Sequence, residues 1–429
     1  MIRRTVIATA LVCVGVSVSA GADVVLDWNT VYIDNIRATG GPPCPISRAG
    51  AMVHAAMFDA VNSIDRGYEP YLGFVPAPPG ASMEASAATA AYDVMVSLFP
   101  ARAAIFRSAY EASLADIPDG HAEEDGITVG HAAAAAIMLA RANDGTSATP
   151  IYIPEPGPGN WIPTFPDFTQ QPFDPGWGAT QPWVITDGAQ FRPRGPLGKQ
   201  TMQALLHQPG YADQVNEVKS LGSRNSTMRT PYETETAFFW ANDINGTYKP
   251  PGHLNYISQV VSLNEGLSLQ ENARLFALIN IGMADAGLVA WDCKYRTRID
   301  LWRPITAIRM AHTDGNHRTT RDANWEPLNP FSPPFPAYIS GHATFGAVHA
   351  AIMADFFGTD YKSFTIGTDD PLYTGGPRSY NSFSSIALEN GRSRVFLGVH
   401  YTFDATDGYT AGSDLGHYVF GHTMRPRKK

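Results

Sequence analysis

Hydrophobic and polar positions recur at helical spacing through most of the chain. Between residues 46 and 64, Met52, Ala55, Ala56, Asp59 and Ala60 recur in this way within alanine-rich text, which is typical of a buried helix. The same pattern predicts helices over 83–98, 101–116, 122–142, 197–206, 209–222 and 231–241. Because small residues allow helices to approach closely, we predict an all-α fold built from helical bundles.

One long segment interrupts this pattern. Between residues 146 and 196, Pro, Gly, Trp and Phe dominate the composition. So many prolines preclude a regular helix, and so many aromatic residues preclude a free linker. We therefore predict an ordered, irregular crossing that packs onto the helices and covers the mouth of a site. It lies within an N-terminal helical region, 23–260, which is followed by a C-terminal helical core, 261–424.

The C-terminal core opens with a helix-start signal. Ser268 is followed three residues later by Glu271, which predicts a capping box. The helix is expected to run towards Trp291 with one or two breaks. A second apolar stretch follows Ser340-Gly341 and predicts a helix whose N-terminus directs free N–H groups towards an anion. Residues 359–383 are polar and glycine-rich and predict a surface loop, and helices are expected over 389–399 and 406–420.

Composition and the N-terminus restrict the possible functions. The 429 residues are 44% hydrophobic, enough for a large core, and the net charge of −9 argues against nucleic acid as a partner. Residues 1–22 read as a secretory signal peptide, with Arg3 and Arg4 before an apolar run. A membrane anchor is the alternative, but the run is shorter than the ~20 residues that a span needs. No later stretch reads as long and apolar enough to cross a bilayer, so we expect a secreted or periplasmic protein without a membrane span.

Three cysteines give little support for a disulfide framework. Cys13 is removed with the predicted signal peptide, which leaves Cys44 and Cys293. An oxidising compartment permits a bond between them, but two cysteines are too few for a framework. The sequence leaves their pairing open.

The last third of the chain contains the residue types that bind a tetrahedral oxyanion. Cations neutralise its charge, a hydroxyl and a closely approaching backbone N–H bond its oxygens, and two imidazoles can bond the central atom and transfer a proton. The candidates are Lys294, Arg303, Ser340, Gly341, His342, Arg394 and His400.

The motifs around these residues resemble the three signatures of the vanadium-dependent haloperoxidases. The motifs are AWDCK at 290–294 with WRP at 302–304, FPAYISGHATFG at 335–346, and Ser393-Arg394 followed by His400 and Asp404. That family shares its core with the type 2 phosphatidic acid phosphatases and bacterial acid phosphatases. The helical text from about Ala22 onwards is similar to the bacterial, soluble branch. The resemblance implies two four-helix-bundle-like units joined by long, irregular Pro/Gly-rich connections.

The resemblance also implies a role for each candidate. His400 would bond vanadium directly and Asp404 would fix its tautomer, while His342 would be the acid–base group. Trp291 and Phe335 would flank the halide, with Phe335 closer to the chloroperoxidase-like pattern, although core packing explains both aromatic residues equally well. The vanadate oxygens would be bound by Lys294, Arg303, Ser340, Gly341 and Arg394.

The implied activity is oxidation of halide by hydrogen peroxide, with vanadate as cofactor and without haem or flavin. The product would be a hypohalous-acid-like species that halogenates a small organic acceptor. Phosphate can occupy the same site, so the alternative is an acid phosphatase in which His400 forms a phosphohistidine and His342 protonates the leaving alcohol. A non-catalytic oxyanion-binding protein is a third hypothesis. A homo-oligomer is left open.

Two positions depart from the family pattern. Its first motif usually has six residues between the lysine and the Arg-Pro pair, whereas eight separate Lys294 from Arg303. Either an insertion bulges the helix after Lys294, or Arg296 takes the place of the lysine; Trp291, three residues before Lys294, favours Lys294. Ile339 stands where the family usually has proline, which should change the rigidity of the loop more than its ligands.

Overall fold

α-Helices form most of the computed structural model, which describes residues 23–427. The all-α prediction is confirmed, and the signal peptide predicted for 1–22 lies outside the described residues. Residues 23–427 contain fourteen α-helices: α1 Val24–Thr39, α2 Pro43–Asp65, α3 Met83–Leu98, α4 Ala103–Ala115, α5 His121–Arg141, α6 Met202–Leu206, α7 Pro209–Leu221, α8 Pro231–Phe239, α9 Lys249–Glu265, α10 Leu269–Tyr295, α11 Pro304–Arg309, α12 Gly341–Phe357, α13 Phe383–Phe396 and α14 Thr402–His422.

Helix α10 connects two groups of packed helices. In the first group, α2 packs against α3 and α5, and in the second, α12 packs against α13 and α14. Helix α10 contacts α2 in the first group and α12 and α14 in the second. Every side chain from Asn272 to Lys294 is therefore buried. This central position carries the end of α10, and with it the first predicted motif, into the interior.

Helix α10 begins where the sequence predicts. The Ser268 hydroxyl accepts from the Glu271 N–H, and the Glu271 carboxylate accepts from the Ser268 N–H at 2.8 Å, so the capping box is confirmed. The expected breaks are wrong, because the helix runs unbroken for 27 residues. Its interior glycine Gly282 serves close packing instead: a Cβ there would lie 2.6 Å from the Ile352 side chain on α12.

The apolar character of α10 also corrects the expectation about membrane spans. Among the described residues, Leu269–Tyr295 is the one helix long and apolar enough to cross a bilayer, with a mean hydropathy of 1.4 over an 18-residue window. That window is completely buried within the protein. Its hydrophobic residues therefore form the core between the two helix groups.

The segment 146–196 is irregular, as its composition predicts. Its only regular element among the described residues is a 3-10 turn at Trp177–Ala179. One buried carboxylate holds the segment against the helices. Asp285 on α10 accepts from the N–H groups of Trp183, Val184 and Ile185 at 2.8–3.2 Å. These bonds replace the backbone pairing that an irregular segment lacks.

The loop predicted for 359–383 contains a short hairpin, so that prediction is wrong in part. Strands β1, Phe364–Ile366, and β2, Arg378–Tyr380, pair antiparallel. Phe364 and Ile366 are buried on either side of the exposed Thr365. Three residues are too few for this alternation to be recognised in sequence.

The two cysteines of the described chain are free thiols. Cys44 and Cys293 are both buried, and burial raises the pKa of each thiol. They act as small apolar side chains in the core.

His54 on α2 is a fully buried histidine in the core of the first helix group. Its ring is fully buried, stacks on Phe276 at 5.4 Å and meets Tyr32 edge-on at 6.0 Å. Neither ring nitrogen has a hydrogen-bond partner among the described residues. Burial lowers the pKa of His54 to about 3.

Replacing His54 with leucine should reduce the acid sensitivity of the fold. The unfolded chain takes up a proton at His54 below its ordinary pKa of ~6.5, whereas the folded protein does not until about pH 3. Stability is therefore lost as pH falls, by about 2 kcal/mol at pH 5 from this residue. Urea unfolding of both proteins at pH 8 and pH 5 should show a smaller fall in the free energy of unfolding for His54→Leu. Equal falls would contradict this account.

Candidate active site

A cavity of about 410 Å³ lies beside the N-terminus of α12. Six of the predicted residues line it: Trp291, Phe335, Gly341, His342, Arg394 and His400. Lys294, Arg303, Ser340 and Asp404 are buried behind this lining. The irregular crossing contributes Gln170 and Phe173 to the wall, so it does reach the site. The structure thus brings together predicted site residues that are up to 113 positions apart, from Trp291 to Asp404.

The hydrogen bonds of His400 fix its tautomer. Its Nε2 lies 3.1 Å from Arg303 Nη1, and its Nδ1 lies 2.9 Å from the Asp404 carboxylate. Because a guanidinium can only donate, Nε2 must accept, and Nδ1 carries the proton that it donates to Asp404. The backbone N–H of Tyr401 also donates to the Asp404 carboxylate and holds it in place. His400 therefore presents a lone pair at Nε2.

His400 is held in its neutral form. Burial lowers its pKa well below the ordinary range, and the charges of Arg303, Lys294 and Arg394 lower it further. Burial also raises the pKa of the Asp404 carboxyl, against the opposing effects of the Tyr401 N–H and of Lys294. A neutral imidazole is the form that bonds an electrophilic centre.

Arg303 and Arg394 have donors left for an anion. Arg303 donates to the carbonyls of Phe335 at 2.7 Å and Val399 at 2.9 Å, but its Nη2 has no partner among the described residues. Arg394 donates from Nη2 to Asp243 at 2.6 Å, and its Nε and Nη1 likewise lack partners within residues 23–427. A buried donor left unpaired costs about 1–3 kcal/mol. An oxyanion would satisfy these groups.

Asp243 is a site residue that sequence reasoning missed. It follows α8, lines the cavity, and bonds Arg394, which is 151 positions away in sequence. Its other oxygen lies 3.9 Å from His342 Nε2. Burial raises the pKa of Asp243, but Arg394 and His342 outweigh it and the net pKa is lowered. The carboxylate is therefore charged and orients Arg394.

His342 is a neutral base at the mouth of the site. Its Nε2 lies 3.2 Å from the Ala241 carbonyl, which can only accept, so Nε2 carries the proton and Nδ1 has a lone pair. Burial lowers the pKa of His342 to about 4, and Arg394 contributes to the shift. With 12% of its side chain exposed, it can exchange protons with solvent in the cavity.

Lys294 reaches the site from α10 but is bonded to backbone. Its ammonium group donates to the carbonyls of Pro336, Ala337 and Ile339 at 2.9, 3.1 and 2.6 Å. These bonds use all three of its N–H groups. Lys294 therefore holds the segment before Ser340 in place. Burial and the charge of Arg303 lower its pKa, whereas its three carbonyl acceptors favour the charged ammonium form.

The spacing of the first motif has a simple structural basis. Helix α10 continues without a bulge to Tyr295, and the extra residues lie in the connection to α11, so the predicted helix bulge is wrong. Arg296 is on the surface, where it lies 3.5 Å from Asp292. Of the two alternatives for the motif cation, Lys294 is the one that lies beside the site.

The aromatic pair completes the wall, and Ser340 lies behind it. Ser340 is the N-cap of α12 and accepts from the Ala343 N–H at 3.4 Å, so this bond does not use its O–H proton. The rings of Trp291 and Phe335 are 5.1 Å apart, and the Arg303 guanidinium lies 4.6 Å from the Phe335 centroid. Both aromatic residues thus line the cavity and pack in the core.

Comparisons with known proteins match this fold and site. Residues 274–429 match a family model described as the VCPO second helical-bundle domain. Vanadium chloroperoxidase from Curvularia inaequalis is 28% identical, with 89% of this chain and 79% of that protein covered. The crystal structure of the first bacterial vanadium-dependent iodoperoxidase has a TM-score of 0.78 at 25% identity, covering 94% of this chain and 98% of that chain. Together these matches support the vanadium-dependent haloperoxidase family for this chain.

A further haloperoxidase structure shows the same fold at lower identity. Holo-type bacterial vanadium-dependent chloroperoxidase has a TM-score of 0.68 at 17% identity, with 91% of this chain and 95% of that chain covered. The irregular crossing and the two helix groups are therefore compatible with the fold of the family. The boundary predicted near residue 261 stays a prediction.

The residues of this site fit a vanadate ion. The unpaired N–H groups of Arg303 and Arg394 and the Nε2 lone pair of His400 are the donor and acceptor types that a tetrahedral oxyanion with an electrophilic centre requires. Ser340 and Gly341, at the positive end of α12, supply a hydroxyl and a backbone N–H. The role predicted for each residue stays a prediction, with Lys294 acting from behind the wall.

Asp404→Asn should weaken vanadate binding by about 10- to 100-fold, the usual effect of losing the group that orients a metal-bound histidine. The amide can present N–H to His400 Nδ1 and so favour the tautomer whose Nε2 carries a proton. Asp407→Asn is a matched control, because Asp407 bonds the Tyr338 hydroxyl at 2.7 Å and not His400. Equilibrium dialysis with orthovanadate measures the vanadate affinity of both variants. Equal affinities for the two variants would contradict the assigned tautomer.

Proposed function

We propose that this chain is a vanadate-dependent haloperoxidase that oxidises halide with hydrogen peroxide to a hypohalous-acid-like halogenating species. The observation that carries the proposal is the neutral His400, whose Nε2 lone pair lies beside two guanidinium groups with unpaired N–H donors. Support also comes from relatives named as chloroperoxidase and iodoperoxidase. The acceptor is a small organic molecule, and neither haem nor flavin takes part.

Different residues of the chain would bind vanadate and transfer protons. Bound vanadate supplies an electrophilic centre of constant oxidation state at which peroxide oxygen becomes reactive towards halide. His400 would hold vanadate through Nε2, and Arg303 and Arg394 would bond its oxygens and withdraw charge from them. His342 would accept and return a proton at Nδ1.

Neighbouring residues hold the charged groups of this site in position and limit their contact with water. Asp243 holds Arg394 in position, and Lys294 fixes the backbone before Ser340. Trp291 and Phe335 give the cavity an apolar wall, which strengthens electrostatic interactions by excluding water. The halide would lie against these two rings.

The location of the protein is a separate proposal. The charged and apolar pattern of residues 1–22 supports export, with the mature protein secreted or periplasmic. Detection of the mature protein outside the cytoplasm, with a new N-terminus near residue 23, would test it.

A paired assay on the purified protein tests the activity. One arm measures oxidation of iodide, bromide and chloride by hydrogen peroxide after orthovanadate loading, with halogenation of a phenolic dye as readout. The other arm measures hydrolysis of a nitrophenyl phosphate without vanadate. Halogenation that requires vanadate is the expected result.

The second arm tests the alternative function, acid phosphatase activity. The neutral His400 that supports the haloperoxidase proposal also supports this alternative. A neutral His400, whose Nε2 carries no proton, also becomes a nucleophile towards phosphorus once a substrate takes the place of the Arg303 hydrogen bond. Phosphate hydrolysis that vanadate inhibits, together with no halogenation, would replace the proposed function with the phosphatase one. Binding of vanadate with neither reaction would identify an oxyanion-binding protein.

A further inference from the structure

A second cavity, of about 390 Å³, lies beside the C-terminal end of α10. One wall is the end of the irregular crossing and the turn after it, residues 192–200. The other wall is the connection from α10 to α11, residues 296–299, together with Tyr338. The two cavities share no lining residue.

Positive charge dominates this second cavity. No carboxylate is among its lining residues, whereas five cations are: Arg192, Arg194, Lys199, Arg296 and Arg298. This arrangement stands out in a protein with a net charge of −9. The local charge is therefore opposite in sign to that of the whole chain.

The five cations differ in how they are held. Buried Asp292 accepts two bonds from Arg192, at 2.6 and 2.9 Å, and lies 3.5 Å from Arg296. The negative charge of Asp187 also raises the pKa of Arg192, from a longer distance. Asp292 thus fixes one guanidinium at the back of the cavity and partly neutralises a second.

The remaining three cations are free to bind a ligand. Arg194, Lys199 and Arg298 have no ion pair and no side-chain hydrogen bond to any residue within 23–427. Like charges that share a concave surface repel one another, and a low-dielectric wall strengthens this effect. A bound anion would remove the repulsion and use the planar donor forks of the arginines.

We propose that this cavity binds a small, multiply charged anion with phosphate or carboxylate groups. Guanidinium groups bond both kinds of group through two parallel N–H donors, so the chemistry required of the ligand is the same for the two classes. The volume admits a molecule larger than a single phosphate ion. This proposal does not depend on the haloperoxidase activity, because no residue of the active-site cavity takes part.

Calorimetric titration with tripolyphosphate and, separately, with citrate tests the proposal on the full chain. The double variant Arg194→Ser, Arg298→Ser should bind the preferred anion at least ~10-fold more weakly than the wild type, since two charge-assisted contacts are lost. The matched control is Arg107→Ser with Arg321→Ser, which makes the same charge change at exposed residues that line neither cavity. The anion affinity of the control should stay within about twofold of the wild type, because neither residue lines the cavity and exposed charges are screened by salt.

An active-site variant separates the two cavities. The anion binding that the Arg194, Arg298 double variant loses should persist in Arg394→Ala if the anion binds in the second cavity. Loss of binding in Arg394→Ala but not in the Arg194, Arg298 double variant would place the anion in the active site and overturn the proposal. Absence of binding by both anions to the wild type would also overturn it. The comparison of tripolyphosphate with citrate identifies the ligand class.

Discussion

Replacing His400 with alanine should abolish vanadate binding and all turnover that depends on it. The imidazole is the only group at the predicted vanadium position, among the described residues, that offers a neutral nitrogen lone pair fixed by a carboxylate. Without it, Arg303 and Arg394 can still attract an oxyanion, but no atom remains to bond its centre. We expect a loss of activity of at least ~10³-fold, comparable with removal of a residue that forms a covalent bond.

The controls for His400→Ala separate chemistry from folding. His349→Ala removes another fully buried histidine, one that bonds the Ser258 hydroxyl at 2.9 Å and lines neither cavity. It should keep vanadate binding even if the protein is less stable. Thermal unfolding and equilibrium dialysis with orthovanadate, done on both variants, make the comparison. Full activity in His400→Ala would refute the site assignment on the haloperoxidase and phosphatase hypotheses alike.

Replacing His342 with alanine should have a different effect: binding persists but turnover falls. The residue contributes a neutral Nδ1 and no permanent charge, so its loss removes proton transfer without removing a vanadate anchor. General acid–base catalysis contributes ~10²–10⁴-fold, and we expect kcat to fall by that factor. Vanadate affinity should change by no more than a few fold.

Steady-state kinetics and vanadate dialysis on the same preparation test this separation. His312→Ala, at an exposed position outside the cavity, serves as the control for loss of a histidine. Loss of vanadate binding in His342→Ala, with kcat retained in the loaded fraction, would exchange the roles assigned to His342 and His400.

The sequence could predict the parts of the site that lie within short segments. His400 and Asp404 are four residues apart, and the start of α14 brings their side chains within 2.9 Å. Ser340 and Gly341 precede an apolar stretch, so their place at a helix N-terminus also follows from local pattern. Such relations depend on helical geometry, which a single sequence displays.

Contacts between distant segments could not be predicted in the same way. Asp243 pairs with Arg394 across 151 positions and belongs to no spaced motif. The three carbonyls that bond Lys294 depend on the backbone path before Ser340, which residue types do not specify. The unbroken course of α10 likewise depends on the helices packed around it. These features arise from tertiary packing.

A crystal structure of the protein soaked in orthovanadate tests the central claim most directly. The account predicts vanadium bonded to His400 Nε2, with vanadate oxygens accepting from the N–H groups of Arg303 and Arg394 that lack partners in the structure. Vanadium bound elsewhere, or no vanadium beside His400 at a concentration that saturates binding in solution, would contradict it.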